Sequence, residues 1–189
     1  MEINLKHKIG KGLQPQPFID GMSKNKSSLM DGYNRFAWSS KGDEDFFAAL
    51  REQTGLKCLI LCTDWCPDVI WNVPVLFRVL EQGRIYTEVL LMEEHLETID
   101  HFLTDGGRGQ PIAVFIDSNG MVFGKWGPRP QYIQAVMEQF RRENPDREAS
   151  DYQEKVEKAR SEVADMYNAG TGYQSVIVLE LRKLIESFI

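Results

Sequence analysis

Hydrophobic and polar residues follow two rhythms along this chain, one of strands and one of helices. The densest apolar block is Lys57-Cys58-Leu59-Ile60-Leu61-Cys62. A run this short and continuous predicts a strand buried on both faces, as in the middle of an α/β sheet. Residues 67–82 predict a helix, and residues 84–91 a second strand carrying Ile85, Val89 and Leu91. Residues 94–103 predict a helix stopped by Thr104-Asp105-Gly106-Gly107, and residues 111–117 a third strand. Ser118-Asn119-Gly120 predicts a hairpin turn, since Asn-Gly accepts positive φ, with 121–126 as the returning strand. After Gly127 a helix is expected over 128–141, with Pro128 in its first turn.

Upstream, Gly10, Gly12, Pro15 and Pro17 interrupt any regular pattern, so residues 1–20 read as an extended lead-in. Over 23–38, Met22, Leu29, Met30, Tyr33 and Phe36 can share one helical face, with Ser23 as the cap. Over 43–54, Asp43, Glu44 and Asp45 suit a helix N-terminus, Phe46, Phe47 and Leu50 supply its apolar face, and Gly55 ends it. Asn144-Pro145-Asp146 breaks the chain before two more helical stretches. These are a charge-rich one over 147–168 and one over 174–189 with Ile177, Leu181, Leu184, Ile185 and Phe188 at helical spacing, parted by Ala169-Gly170-Thr171-Gly172. That tail needs apolar cover, from the domain or from a second copy of the chain through the helical extensions. The first two strands, joined through a helix, should run parallel, and the last two antiparallel. The expected fold class is α/β: a mixed β-sheet sandwiched by helices, with N-terminal (1–42) and C-terminal (146–189) helical extensions around a domain at 43–145.

Composition narrows the function. Of 189 residues, 42% are hydrophobic and 26% charged, ordinary values for a globular protein. The net charge of −6, with no basic block, argues against nucleic acid or an anionic membrane as partner. No apolar run approaches the ~20 residues that cross a bilayer. The opening MEINLKHKIGKG has no apolar signal segment, and the three cysteines are an odd number. Both point to a reducing, cytoplasmic setting.

The chemistry centres on Thr63-Asp64-Trp65-Cys66-Pro67-Asp68-Val69. Cys66 falls where a buried strand gives way to a helix that Pro67 opens. Unpaired backbone N–H groups and the helix dipole gather there, which favours thiolate and predicts a lowered thiol pKa. Asp68 works against that by like charge. Cys58 and Cys62, four residues apart in a strand, stand roughly 13 Å apart, beyond the ~7 Å that a disulfide spans. The run Cys-x-x-x-Cys-x-x-x-Cys has no usual zinc spacing, so no metal site is expected. Cys62 remains open as a resolving partner for Cys66, part of the intervening chain being loop. His95 and His101 read as surface residues, Trp71 as core, and Trp126 and Arg129 as cover over the helix-to-sheet junction. Arg108 reads as a solvated loop cation, and the charges of 147–165 as a solvated helix face.

The motif WCPDV resembles the WCxxC active site of the thioredoxin superfamily. Pro74 lies eight residues after Cys66, where the family has a helix-kinking proline. Pro111 lies 45 residues after Cys66, where the family's cis-proline falls, and Gly127 follows 16 residues later. TDGGRGQP and GKWGPRP look like a small bacterial thioredoxin-like family with an N-terminal helical extension. The resemblance covers about 43–141. It implies a nucleophilic Cys66, with Trp65, Pro67, Asp68, Val69, Gln110 and Pro111 against the substrate. Three positions depart from the family pattern: Val69 stands for the second active-site cysteine, Ile60 for a buried acid, and Gln110 for a smaller residue. Without the second thiol, the implied activity is a monothiol one. Cys66 would form mixed disulfides with protein or low-molecular-weight thiols, a small thiol serving as co-substrate and no bound cofactor being required. The alternative is a non-catalytic thioredoxin-fold module for binding or assembly in which Cys66 is dispensable.

Overall fold

The structure is a computed structural model that describes residues 2–52 and 55–189. Among those residues lie the strands β1 (Lys57–Cys62), β2 (Tyr86–Leu91), β3 (Ile112–Ile116) and β4 (Val122–Trp126), and the helices α1 (Pro15–Gly21), α2 (Lys26–Arg35), α3 (Lys41–Ala49), α4 (Pro67–Gln82), α5 (Leu96–Ile99), α6 (Gln131–Glu143), α7 (Tyr152–Asn168) and α8 (Gly172–Glu186). The sheet order is β2-β1-β3-β4. β1 runs parallel to β2 through the α4 crossover and antiparallel to β3, and β3 and β4 form an antiparallel hairpin. This is the mixed, helix-flanked α/β arrangement expected from the strand pattern. No helix among the described residues is long and apolar enough to cross a membrane.

The continuous apolar run of β1 has a direct cause. Cys58, Ile60 and Cys62 face the larger core, shared with α4, α6, α7 and α8. Leu59 and Leu61 face a smaller core with Leu5, Leu90, Ile99, Phe102, Ile112 and Val114. A central strand covered on both sides keeps no polar face. The tail completes the larger core from within the same chain: Val163, Tyr167, Ile177, Leu181 and Ile185 are all buried in it.

Several expectations need correction. The lead-in is not simply extended. Pro15 opens α1 as its first residue, a position where a missing N–H removes no helical bond. The same segment caps the sheet edge. Leu13 bridges Val89, and the buried Glu88 carboxylate accepts the backbone N–H groups of Gly10 (2.7 Å) and Gly12 (2.8 Å). Ser23 does not cap α2, which begins at Lys26 after Asn25 in the left-handed region. α3 starts at Lys41 with Ser40 as its cap, earlier than the acidic triplet suggested. It gives way to a tight turn at Leu50–Glu52, and the expected end at Gln53 and Thr54 lies outside the described residues. The single helix expected over 94–103 is instead two tight turns flanking the four-residue α5. His95, expected on the surface, is buried. Pro128 does not open α6: the chain turns first, through Gly127 at φ +114° and a cis Gly127–Pro128 bond, and the helix begins at Gln131.

Candidate active site

β1 ends at Cys62, three residues carry the chain off the end of this central strand, and Cys66 occupies the position just before the first turn of α4, with Pro67 as its first residue. The crossing loop is held by the N-terminal extension. Asp64 Oδ2 accepts from Ser23 N (2.7 Å), Ser23 Oγ (2.9 Å) and Lys24 N (3.0 Å), and its carbonyl accepts from Asn25 Nδ2 (2.8 Å). The residues between α1 and α2 therefore fix the segment that presents the cysteine. The adjoining Trp65 is half exposed and donates from Nε1 to Glu93 Oε1 at 2.6 Å.

Cys66 is partly exposed, and its Sγ lies 4.0 Å from both the Gln110 carbonyl oxygen and Asp68 Oδ2. The Gln110–Pro111 bond is cis, and both residues are buried beside the sulfur. Thus Cys66 and Asp68 from one stretch of sequence meet Gln110 from a distant one. Among the described residues, Gln110 Oε1 is buried without a hydrogen-bond partner. Pro67 is exposed at the rim. Val69, expected among the substrate contacts, is fully buried. Its side chain belongs to the core, and it offers the sulfur only a backbone N–H.

The electrostatics reverse the sequence expectation for the thiol. Burial pushes the Cys66 pKa up, and the Asp68 carboxylate adds to the rise. The backbone N–H groups of Asp68 and Val69 and the Arg129 charge pull the other way, but the thiol settles at about 11, above its usual 9.0. A helix N-terminus favours thiolate only as far as desolvation and a like charge allow, and here these two win. Asp68 is itself nearly buried and ion-paired with Arg129 (Nε to Oδ1 2.8 Å). Burial raises its carboxyl, while Arg129 and, more weakly, Arg160 oppose that rise. Cys62 is fully buried, and its thiol is raised by desolvation with the Cys66, Glu93 and Asp64 charges adding to it.

The tail closes the site on one side. A cleft of about 380 Å³ opens beside Cys66, lined by Trp65, Asp68, Trp71 and Arg129 on one wall and by Arg160 and Val163 of α7 on the other. α7 is locked to α4 beneath it. The Tyr167 hydroxyl donates to Asn72 Oδ1 (3.0 Å), Tyr167 stacks on Trp71 at 4.4 Å, and Asn72 Nδ2 donates to the Asp68 carbonyl (2.8 Å). Sequence reasoning missed Arg160, Asn72 and Tyr167. A signal for Arg160 existed: it occupies the i+4 place from Val156 and precedes Val163 by three, so a cation sits on an otherwise apolar stripe. Arg108 lies elsewhere, exposed and paired with Asp100. Trp126 is buried and donates to Glu180 at 2.7 Å. Among the described residues no three His, Cys, Asp or Glu side chains gather to hold a metal.

Comparison with known proteins agrees with this geometry at the level of fold. No curated protein matches the sequence. A crystal structure of an HIV epitope-scaffold superposes with a TM-score of 0.68 at 12% identity, covering 99% of this chain and 100% of its own. The crystal structure of a protein of unknown function from Pseudomonas aeruginosa superposes with a TM-score of 0.66 at 14% identity, covering 94% of each chain. At those identities the likeness is one of fold, and it extends through the helical tail. The family model described as Thioredoxin matches residues 12–141, a span that holds Cys66, Gln110 and Pro111 and begins within the N-terminal extension. The chain therefore belongs to the thioredoxin family.

Proposed function

We propose that the protein is a monothiol thiol–disulfide oxidoreductase in which Cys66 is the nucleophile. The observation that carries this reading is the partly exposed Cys66 Sγ with two groups, the Gln110 carbonyl and the Asp68 carboxylate, 4.0 Å from it. In the proposed step Cys66 attacks one sulfur of a protein mixed disulfide. The Cys66–S bond forms, the substrate S–S bond breaks, and the departing thiolate leaves as thiol. A low-molecular-weight thiol then attacks the new disulfide and restores Cys66. Because the resting thiol sits at about 11, attack near neutrality needs a proton acceptor. Asp68 is the nearest one, and its ion pair with Arg129 keeps it able to accept. The extended substrate segment would lie against the Gln110–Pro111 backbone, as an added strand does. The proposed setting is a reducing cytoplasm.

Two observations favour a second reading, a binding or assembly module: the upward shift of the Cys66 thiol and a valine, buried at that, where a resolving cysteine would stand. The two readings part on one variant. In a thiol-transfer assay with a peptide mixed disulfide and a small-thiol reductant, the wild-type chain should turn over and Cys66→Ser should not. Equal rates for both proteins, no faster than the reductant alone, would leave only the scaffold.

A further inference from the structure

The cleft beside Cys66 has a wall that the thioredoxin match does not include. That match ends at residue 141, whereas Arg160, Val163 and Ala164 come from α7. Resting on the oxidoreductase reading, we propose that this cleft binds the low-molecular-weight thiol itself, and that the thiol carries a carboxylate recognised by Arg160.

Size, charge and shape agree on this occupant. A volume of about 380 Å³ suits a small molecule and not a folded partner. Its charged lining is Asp68, Arg129 and Arg160, one more positive group than negative. Arg129 is committed to Asp68 and to Gln134 Oε1 at 2.9 Å. Arg160 has no ion pair or hydrogen bond among the described residues, yet stands close enough to draw the Asp68 carboxyl downward. An arginine on an otherwise apolar stripe, aimed at a cleft and free of a partner, suits the bidentate grip of a carboxylate. Trp65, Trp71, Met137 and Val163 give the rest of the cleft apolar walls for the ligand's carbon chain. Such a thiol would place its sulfur at Cys66 and its carboxylate at Arg160, both of which line the cleft.

The chemistry balances without a further reactant. The Cys66 thiol gives its proton to Asp68 and attacks a small disulfide RS–SR. Cys66–S–SR forms, and RS⁻ leaves and takes up that proton. The reverse exchange with RSH restores Cys66 and returns RS–SR.

The test uses three probe disulfides of different charge: dithiodipropionate (anionic), hydroxyethyl disulfide (neutral) and cystamine (cationic). Mixed-disulfide formation on Cys66 is followed by intact mass, each rate divided by that of the same probe with N-acetylcysteine. The wild-type chain should favour the anionic over the neutral probe by about tenfold, and added salt should shrink that preference. Arg160→Gln should abolish the preference, and Arg160→Glu should turn it toward cystamine. Arg160 is exposed, so both variants should fold. A reactive Cys66 with no charge preference, or with one that both variants keep, would overturn this inference and leave the oxidoreductase reading intact. A Cys66 inert to all three probes would overturn both.

Discussion

Arg129, from the loop ahead of α6, meets Asp68 in the first turn of α4, with Nε 2.8 Å from Oδ1 and both side chains largely withdrawn from solvent. This pair sets the charge that Cys66 feels. Asp68 raises the thiol and Arg129 lowers it, so the two arginine and aspartate variants should move Cys66 reactivity in opposite directions. Asp68→Asn removes the repulsion and leaves Arg129 unneutralised. Alkylation reads the thiolate already present, so the iodoacetamide rate profile should shift to lower pH and the rate at pH 8 should rise roughly tenfold for a shift of about one unit, whereas disulfide exchange, which loses its proton acceptor, should not rise in step. Arg129→Gln should shift the profile upward. It should also cost about 3 kcal/mol in urea unfolding, since it strands a buried carboxylate.

The raised thiol also predicts an alkaline dependence of stability. Between its usual 9.0 and about 11, Cys66 is ionised in the unfolded chain but still protonated in the folded one. The folded state then binds more protons, so stability falls as pH rises through that interval, by up to about 2–3 kcal/mol from this group. Urea midpoints measured from pH 8 upward should decline, and Cys66→Ala should flatten the decline. The deeply buried Cys58 and Cys62, pushed up further by desolvation, leave a residual slope.

Tyr167 ties the tail to the active-site helix. Its hydroxyl donates to the buried Asn72, and its ring stacks on Trp71. Tyr167→Phe keeps the stacking and removes the bond, at a cost of about 1–2 kcal/mol in chemical denaturation. Deleting residues 146–189 is far more severe, because it uncovers the core that Val163, Ile177, Leu181 and Ile185 complete. That truncated chain should show no cooperative unfolding transition by circular dichroism.

Gly12 allows the lead-in to lie directly on β2. A Cβ there would stand 2.7 Å from the Val89 carbonyl oxygen and 2.9 Å from Glu88 Cβ. Gly12→Ala should therefore push the segment off the edge strand and leave Glu88 short of its donors. The expected readout is faster backbone amide exchange at Leu13 and Val89, whose paired N–H groups would open to solvent.

The sequence was most legible where one force acts alone. β1 and α4 fall at their expected residues because an unbroken apolar run and a proline-started helix admit few alternatives. Legibility failed where tertiary contacts override local signals. Pro15 and Ser23 carry turn and cap chemistry that the chain spends differently, one opening α1 and the other holding Asp64. Cys66 illustrates the same limit within the site. Its place at a helix N-terminus was readable, but the depth of burial and the orientation of Asp68, which lift its pKa, are set by packing. The signal for Arg160, a cation on the stripe of Val156 and Val163, was masked by Lys158 and Glu162 two residues to either side, which make the stretch read as a solvated face, and only the fold shows that it lines the cleft.

The most direct test of the account is single-turnover exchange at Cys66. The reduced protein is mixed with one equivalent of a peptide mixed disulfide and quenched in acid at intervals, and intact mass is read. The account predicts one adduct, mapped to Cys66 and absent from Cys66→Ser, that a small thiol then removes to regenerate the starting mass. No adduct, or an adduct on another cysteine, would contradict it.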